Sequence, residues 1–292
     1  MKTLKYYFHT LFAPSKDPYP STIRTKNIMD SFNFLVQAFK THERLFFVRF
    51  GDGEFVTLMQ QDHRNYVFNE NLEKELAASF RIEHQEYLIA CPINYPYDEF
   101  HAKGIYRQFS WQQQMIDVMQ QRNFPQNLVF ENPCIFQCLA VFKPKVLKDF
   151  LDNFIRKERK MFIGSTDKVT AEKLYGPIEY YVQIPERNAY ETIGEWWPEV
   201  EQNVEKVDLV IPSAGSTSNA IAVRLWNKGV RCKVIDFGSV VDAVAQKTSR
   251  SWIRLQGHKV LKTLENPPEL PLAKRWEFLR KDIKFYFRNQ II

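Results

Sequence analysis

The chain has 292 residues, of which 45% are hydrophobic and 25% charged, and it carries a formal net charge of +6. These values are ordinary for a globular protein with ample length for a buried core, in one large domain or one domain with decorated ends. A membrane span is excluded, because no segment approaches the ~20 consecutive apolar residues it needs, and the opening MKTLKYYFHTLF lacks the continuous apolar region of a signal peptide.

Short apolar runs that read as strands recur along the chain. Leu45 to Phe50 is the first, stopped by Gly51, and Tyr87 to Cys91 the second, ended by Pro92. Leu128 to Phe130, Met161 to Ile163 and Ile178 to Ile184 follow, and Val207 to Ile211 and Cys232 to Ile235 complete the set. Between them, Gln112 to Gln121, Val146 to Ile155, Tyr190 to Val204 and Ser218 to Asn227 have apolar residues at helical spacing, the last closed by Gly229 as a C-cap. Strands that are apolar throughout, alternating with helices, predict an α/β fold. The expectation is a Rossmann-like, mostly parallel sheet with helices on both faces. The Pro-rich stretch Glu265 to Pro271 is the clearest linker, so the predicted main domain is 1–262, with its core at about 30–250 and a tail at 263–292.

The cysteines Cys91, Cys134, Cys138 and Cys232 suit reduced, structural thiols. Cys134 and Cys138 are four apart, but no further pair of His or Cys nearby completes a zinc site. Reduced thiols fit a cytoplasmic compartment.

Arg49-Phe50-Gly51-Asp52-Gly53-Glu54-Phe55 directly follows the first strand, at the end where α/β sheets bind ligands. On a helix, residues two apart point about 200° away from each other. In an extended loop, which Gly51 and Gly53 would permit, Asp52 and Glu54 share a side. Two converging carboxylates repel unless a cation lies between them, and hard oxygen ligands suit Mg²⁺ or Mn²⁺. Arg49 would contact a phosphate or hold Asp52. Asp-Gly is also a common surface-turn dipeptide, so the spacing leaves metal site and turn both open.

Four later strand ends carry small or polar residues: Gly164-Ser165-Thr166, Pro185 to Ala189, Ser213 to Thr217, and Asp236 to Ser239. The third opens a helix, where free N–H groups, hydroxyls and the helix dipole suit phosphate or ribose oxygens; it also reads as a plain N-cap by Ser216. Neither a Walker loop nor Gly-x-Gly-x-x-Gly is present, which weakens ATP and NAD readings.

Arg49 to Glu54, taken with Asn188-Ala189, Gly215-Ser216-Thr217 and Asp236-Phe237-Gly238, resembles the GT-D-type glycosyltransferase family over roughly residues 30–250. The resemblance implies a bacterial enzyme with one Rossmann-like domain. Asp52 and Glu54 fall on the family's Asp-x-Glu motif, which implies Mn²⁺ or Mg²⁺ holding the diphosphate of a UDP-sugar. Arg49, Gly51, Gly164, Ser165, Asn188, Ala189, Gly215, Ser216 and Thr217 would then bind the donor. Ser216 stands where the family has proline. Where the family has Asp-Ile-Gly-His, this chain has Asp236-Phe237-Gly238-Ser239 with Asp242 nearby. The candidates for the base that deprotonates the acceptor are therefore Asp236 and Asp242; Asp242 also reads as a helix N-terminal charge.

The implied activity is metal-dependent hexosyl transfer from a UDP-sugar to a glycan, glycoprotein or lipid-linked acceptor in polysaccharide or glycoprotein biosynthesis. The alternative is a non-catalytic nucleotide-sugar-binding protein of the same fold. Nucleic acid is not an expected partner, because the main domain lacks a basic stripe. The tail from Pro271 holds six basic residues and two acids, so it alone carries +4 of the net charge, interleaved with Trp276, Phe278, Leu279, Ile283, Phe285, Tyr286 and Phe287. An amphipathic helix there has two open readings: packing against protein, or peripheral contact at the inner face of an anionic membrane.

Overall fold

The computed structural model describes residues 22–62, 67–94, 112–125, 128–247 and 250–290, with the side chains of 112, 251 and 285–290 left aside. The opening stretch read against a signal peptide lies outside the described residues.

In chain order the strands are β1 (Arg24–Thr25), β2 (Leu45–Arg49), β3 (Tyr87–Ala90), β4 (Val129–Phe130), β5 (Lys160–Gly164), β6 (Tyr180–Gln183), β7 (Leu209–Ser213) and β8 (Lys233–Ile235). Six of them form one sheet in the order β3-β2-β8-β7-β5-β6, and every pairing in it is parallel. β1 and β4 form a separate parallel pair. Glu131, just after β4, joins the β3 edge by donating its N–H to Ile89 O and accepting from Cys91 N–H.

The helices are α1 (Ile28–Thr41), α2 (Asp52–Leu58), α3 (Glu70–Phe80), α4 (Gln112–Gln121), α5 (Ile135–Phe142), α6 (Pro144–Phe150), α7 (Lys168–Tyr175), α8 (Ile193–Asn203), α9 (Thr217–Lys228), α10 (Val240–Val244), α11 (Ser251–Gln256) and α12 (Leu272–Gln290). Successive strand residues point to opposite faces, so each strand feeds two cores. Phe46, Val48, Ile89, Ile163, Val210 and Val234 pack with residues of α3, α4, α8 and α9. Leu45, Phe47, Leu88, Phe162, Ile211 and Ile235 pack with α1, α5, α6 and α10 on the other side. Each fully buried Phe or Leu here contributes about 1.5–3 kcal/mol relative to exposure. The result is the expected α/β architecture, a parallel sheet between two helical layers.

All seven predicted strands occur, with ends shifted by one or two residues. The stretch predicted as one helix over Val146 to Ile155 starts earlier, because Pro144 fits the first helical turn, and finishes as a π-helical turn, Leu151–Ile155. β1 is two residues long and leaves no periodicity to read. All four cysteines are buried, and none forms a disulfide. The last buried residue before the linker is Leu264.

Candidate active site

The sheet order sets β8 between β2 and β7. The carboxyl end of β2, Arg49 to Asp52, therefore lies with two ends far from it in sequence: Ser213 to Thr217 at β7 and Asp236 to Gly238 after β8.

At the first of these ends the chain departs from expectation. Asp52 and Glu54 do not lie in an extended loop; they are the first and third residues of α2. The cause is local. The Glu54 carboxylate turns back and accepts the Gly51 N–H at 2.7 Å, satisfying one of the unpaired donors of a helix start. Acidic residues in a first turn also suit the positive end of the helix dipole. Asp52 is exposed and Glu54 half-buried. Burial is the main influence on Glu54 and raises its pKa above the usual carboxylate range; the Asp52 charge adds to this, while the Gly51 N–H and the Ser216 hydroxyl oppose it.

That hydroxyl comes from the second strand end. Ser216 is buried and does not act as a side-chain N-cap for α9; its hydroxyl serves Glu54 instead. The loop is braced by Ser218, whose Oγ accepts Ala214 N–H at 3.1 Å. Gly215 has φ +58°, a conformation that costs other residues about 1–2 kcal/mol, and no atom lies within 4 Å of where a Cβ would stand. The loop therefore presents open backbone beside Glu54. Thr217, buried, starts α9.

Arg49 does not reach for Asp52. Its Nη1 lies 3.7 Å from Asp236 Oδ1, and its backbone carbonyl accepts Asn219 Nδ2 at 2.9 Å. Asp236 Oδ1 also accepts Gly238 N–H at 2.6 Å. Gly238 has φ +62°, and a Cβ there would stand 1.4 Å from Arg49 Nη1, so the guanidinium occupies the space that only glycine leaves open. Burial raises the Asp236 pKa, opposed by the Arg49 charge and the Gly238 N–H. Arg49, Asn219 and Asp236 line a small crevice with Pro212, Ser218 and Ala222. Two buried polar atoms of that trio, Arg49 Nε and Asn219 Oδ1, have no hydrogen-bond partner among the described residues.

A second cluster sits at the ends of β5 and β6. Lys247 Nζ donates to Ser165 Oγ at 3.2 Å and lies 3.7 Å from Glu186 Oε1. Asp242, in the first turn of α10, has its pKa raised by burial, partly offset by Lys247 and Arg250. Burial raises the pKa of the Tyr175 hydroxyl, and the charges of Asp236 and Asp242 add to this. Ser239 Oγ accepts Trp252 Nε1 at 3.0 Å. Gly164 pairs with Ser213 across β5 and β7.

Asn188 and Ala189 lie at the sheet's edge, beyond β6. Asn188 has φ +54° and a buried Oδ1 with no hydrogen-bond partner among the described residues. Ala189 O accepts Trp196 Nε1 at 3.0 Å. The adjoining Tyr190 bonds Glu75 at 3.0 Å, and Glu75 also accepts Arg224. The contacts of this segment run to α3, α8 and α9 rather than to Asp52 or Glu54. Asn219, Tyr175 and Lys247 carried no sequence signal as site residues; their roles come from strands and helices that meet only in the fold.

The residues fit a divalent cation in one specific way. Among the described residues no ion pair joins the half-buried Glu54 carboxylate to a cation, and the Asp52 charge acts on it. Among the described residues no group of three or more His, Cys, Asp or Glu could hold a metal. On α2 the two side chains leave the axis about 200° apart, so the helix does not bring them to one side as the extended loop would; their carboxylates would each supply oxygen to Mg²⁺ or Mn²⁺ only with diphosphate oxygens and water completing the shell.

No family model and no curated protein matches the chain. Solved structures do. One, described as the highly conserved domain of unknown function 1792 with a distinct glycosyltransferase fold, is 18% identical, with TM-score 0.55, over 77% of this chain and 81% of that one. A selenomethionine-substituted structure of domain of unknown function 1792 is 16% identical, with TM-score 0.59, over 88% and 94%. A third, described as a new glycosyltransferase from Streptococcus sanguinis, is 17% identical, with TM-score 0.57, over 77% and 84%. The chain thus has the distinct glycosyltransferase fold that its motifs resemble.

Proposed function

We propose that the protein is a metal-dependent glycosyltransferase that moves a hexose from a UDP-sugar to a hydroxyl of a glycan, glycoprotein or lipid-linked acceptor. One observation carries the reading: a half-buried Glu54 carboxylate, with no ion pair to a cation among the described residues, feels the Asp52 charge and meets the Ser216 hydroxyl of an open Gly215 loop. The shared fold supports it. Mn²⁺ or Mg²⁺ held by Asp52 and Glu54 would neutralise the charge of the diphosphate leaving group. The N-terminus of α9, with Gly215 and Thr217, would cradle phosphate or ribose oxygens.

In transfer, the acceptor oxygen bonds to the anomeric carbon, the bond from that carbon to the diphosphate oxygen breaks, and the hydroxyl proton moves to a base. Asp242 suits that base, since its carboxyl is half-buried with a raised pKa and basic neighbours. Asp236 suits an anchor better, because its Oδ1 is committed to Gly238 and faces Arg49. A base must be unprotonated to act, so activity should fall as the pH drops through the raised pKa of Asp242, above the usual Asp range. Asp242→Asn is expected to remove this acid limb and lower turnover by about 10²–10⁴-fold. A pH–rate profile unchanged by the substitution would exclude Asp242 as the base.

The direct test is thermal stability against UDP, other nucleotides and UDP-sugars, with Mn²⁺ or with EDTA. A ligand at 100 times its Kd stabilises the folded state by about 2.7 kcal/mol. A shift given by UDP or a UDP-sugar, and removed by EDTA, is expected; no shift with any nucleotide would overturn the reading. A non-catalytic nucleotide-sugar-binding protein, the reading favoured by Ser239 in place of histidine, would shift without releasing UDP from the donor.

A further inference from the structure

We propose that α12 is a surface helix that binds anionic lipid membranes. Leu272, Trp276, Leu279 and Ile283 recur at the three- and four-residue spacing that lines up along one face of a helix. All four are exposed, at 73%, 65%, 45% and 46%. The helix is nevertheless attached to the protein, by other rows of residues. Phe278 stacks on His258 with ring centroids 4.5 Å apart, and Asp282 lies 3.1 Å from His258 Nε2 and 3.6 Å from Lys259 Nζ. The packing reading of the tail therefore describes one side of the helix and leaves the apolar stripe uncovered.

Charge identifies the occupant. Among residues 272–284, Lys274, Arg275, Arg280, Lys281 and Lys284 outnumber Glu277 and Asp282. Both acids are already engaged, Glu277 by Lys274 and Lys281, and Asp282 by His258 and Lys259. At 100° per residue, Arg275 falls on one flank of the stripe and Arg280 and Lys284 on the other. Trp276 shares a shallow surface groove with Arg280, Lys281 and Lys284. An apolar row bordered by long basic side chains, with a tryptophan at the edge, matches the boundary between acyl chains and anionic headgroups. A second copy of the chain is a poor match, because pairing two such stripes would set like charges against each other on both flanks. Among the described residues no helix is long and apolar enough to cross a membrane, so the contact would be peripheral.

The proposal does not depend on the glycosyltransferase reading, and its test involves no sugar transfer. The full chain is sedimented with phosphatidylcholine vesicles and with vesicles of equal parts phosphatidylcholine and phosphatidylglycerol. Binding to the anionic vesicles at least tenfold above the neutral ones is expected, weakening as salt rises. Trp276→Glu with Ile283→Glu, and separately Arg280→Glu with Lys284→Glu, should each abolish it; both pairs are exposed, so the melting temperature should hold. No binding of the parent chain to anionic vesicles would overturn the proposal, as would equal binding of the first variant. A parent dimer that this variant dissociates, without vesicle binding by either, would assign the stripe to self-association and overturn it too.

Discussion

Glu54→Gln is expected to lower sugar transfer by roughly 10³-fold while leaving the protein folded, the scale of losing a strong electrostatic contact to developing charge. The substitution separates two roles of one side chain. The Glu54 carboxylate accepts the Gly51 N–H at 2.7 Å and so helps to start α2; the glutamine carbonyl can accept the same bond. What glutamine removes is the charge, which burial and Asp52 already make unfavourable in the folded protein. A melting temperature within a few degrees of the parent, combined with lost transfer and lost metal-dependent stabilisation by UDP, is the expected pattern. Asp52→Asn with Glu54→Gln should abolish transfer. Retained turnover in the double variant would remove the metal assignment, whatever its stability.

Asp236→Ala is expected to have the largest effect on stability of any single substitution at the site. It leaves the Arg49 guanidinium, 3.7 Å away and largely buried, without its counter-charge, and it leaves the Gly238 N–H without its acceptor. Removing one partner of a buried pair costs about 3 kcal/mol or more. For a chain of this size that lowers the melting temperature by roughly 6–12 °C. Asp236→Asn keeps an acceptor for Gly238 and should lose about half as much. Gly238→Ala attacks the same contact from the other side, since its Cβ would stand where Arg49 Nη1 lies and its φ is +62°. If Asp236→Ala melted with the parent, Arg49 and Asp236 would not be a structural pair.

Much of the fold was legible because its physics is local. Strands apolar on both faces, such as Leu45 to Phe50 and Met161 to Ile163, imply a sheet covered twice, and helical spacing between them implies a parallel one. The positions of the candidate groups after strand ends followed from the same reading. The structure of the first motif was also encoded locally, but in a different signal. Glu54, three residues after Gly51, is the acceptor that starts a helix, while the glycines on either side of Asp52 favoured the reading as a loop.

The sequence by itself determined the strands, the layers and the strand-end clusters, because periodicity and breakers act over a few residues. Only the tertiary structure decided which clusters meet. The order β2-β8-β7 sets β2 beside β8, six strands later in the chain. It sets Arg49 against Asp236 and Asn219 against the Arg49 carbonyl, and turns the Ser216 hydroxyl from a helix cap into a partner of Glu54. It also places Asn188 at the far edge, where the adjoining Ala189 and Tyr190 bond to α8 and α3. Strand order follows from how whole helices share the two faces of the sheet, and no window of neighbouring residues carries that information.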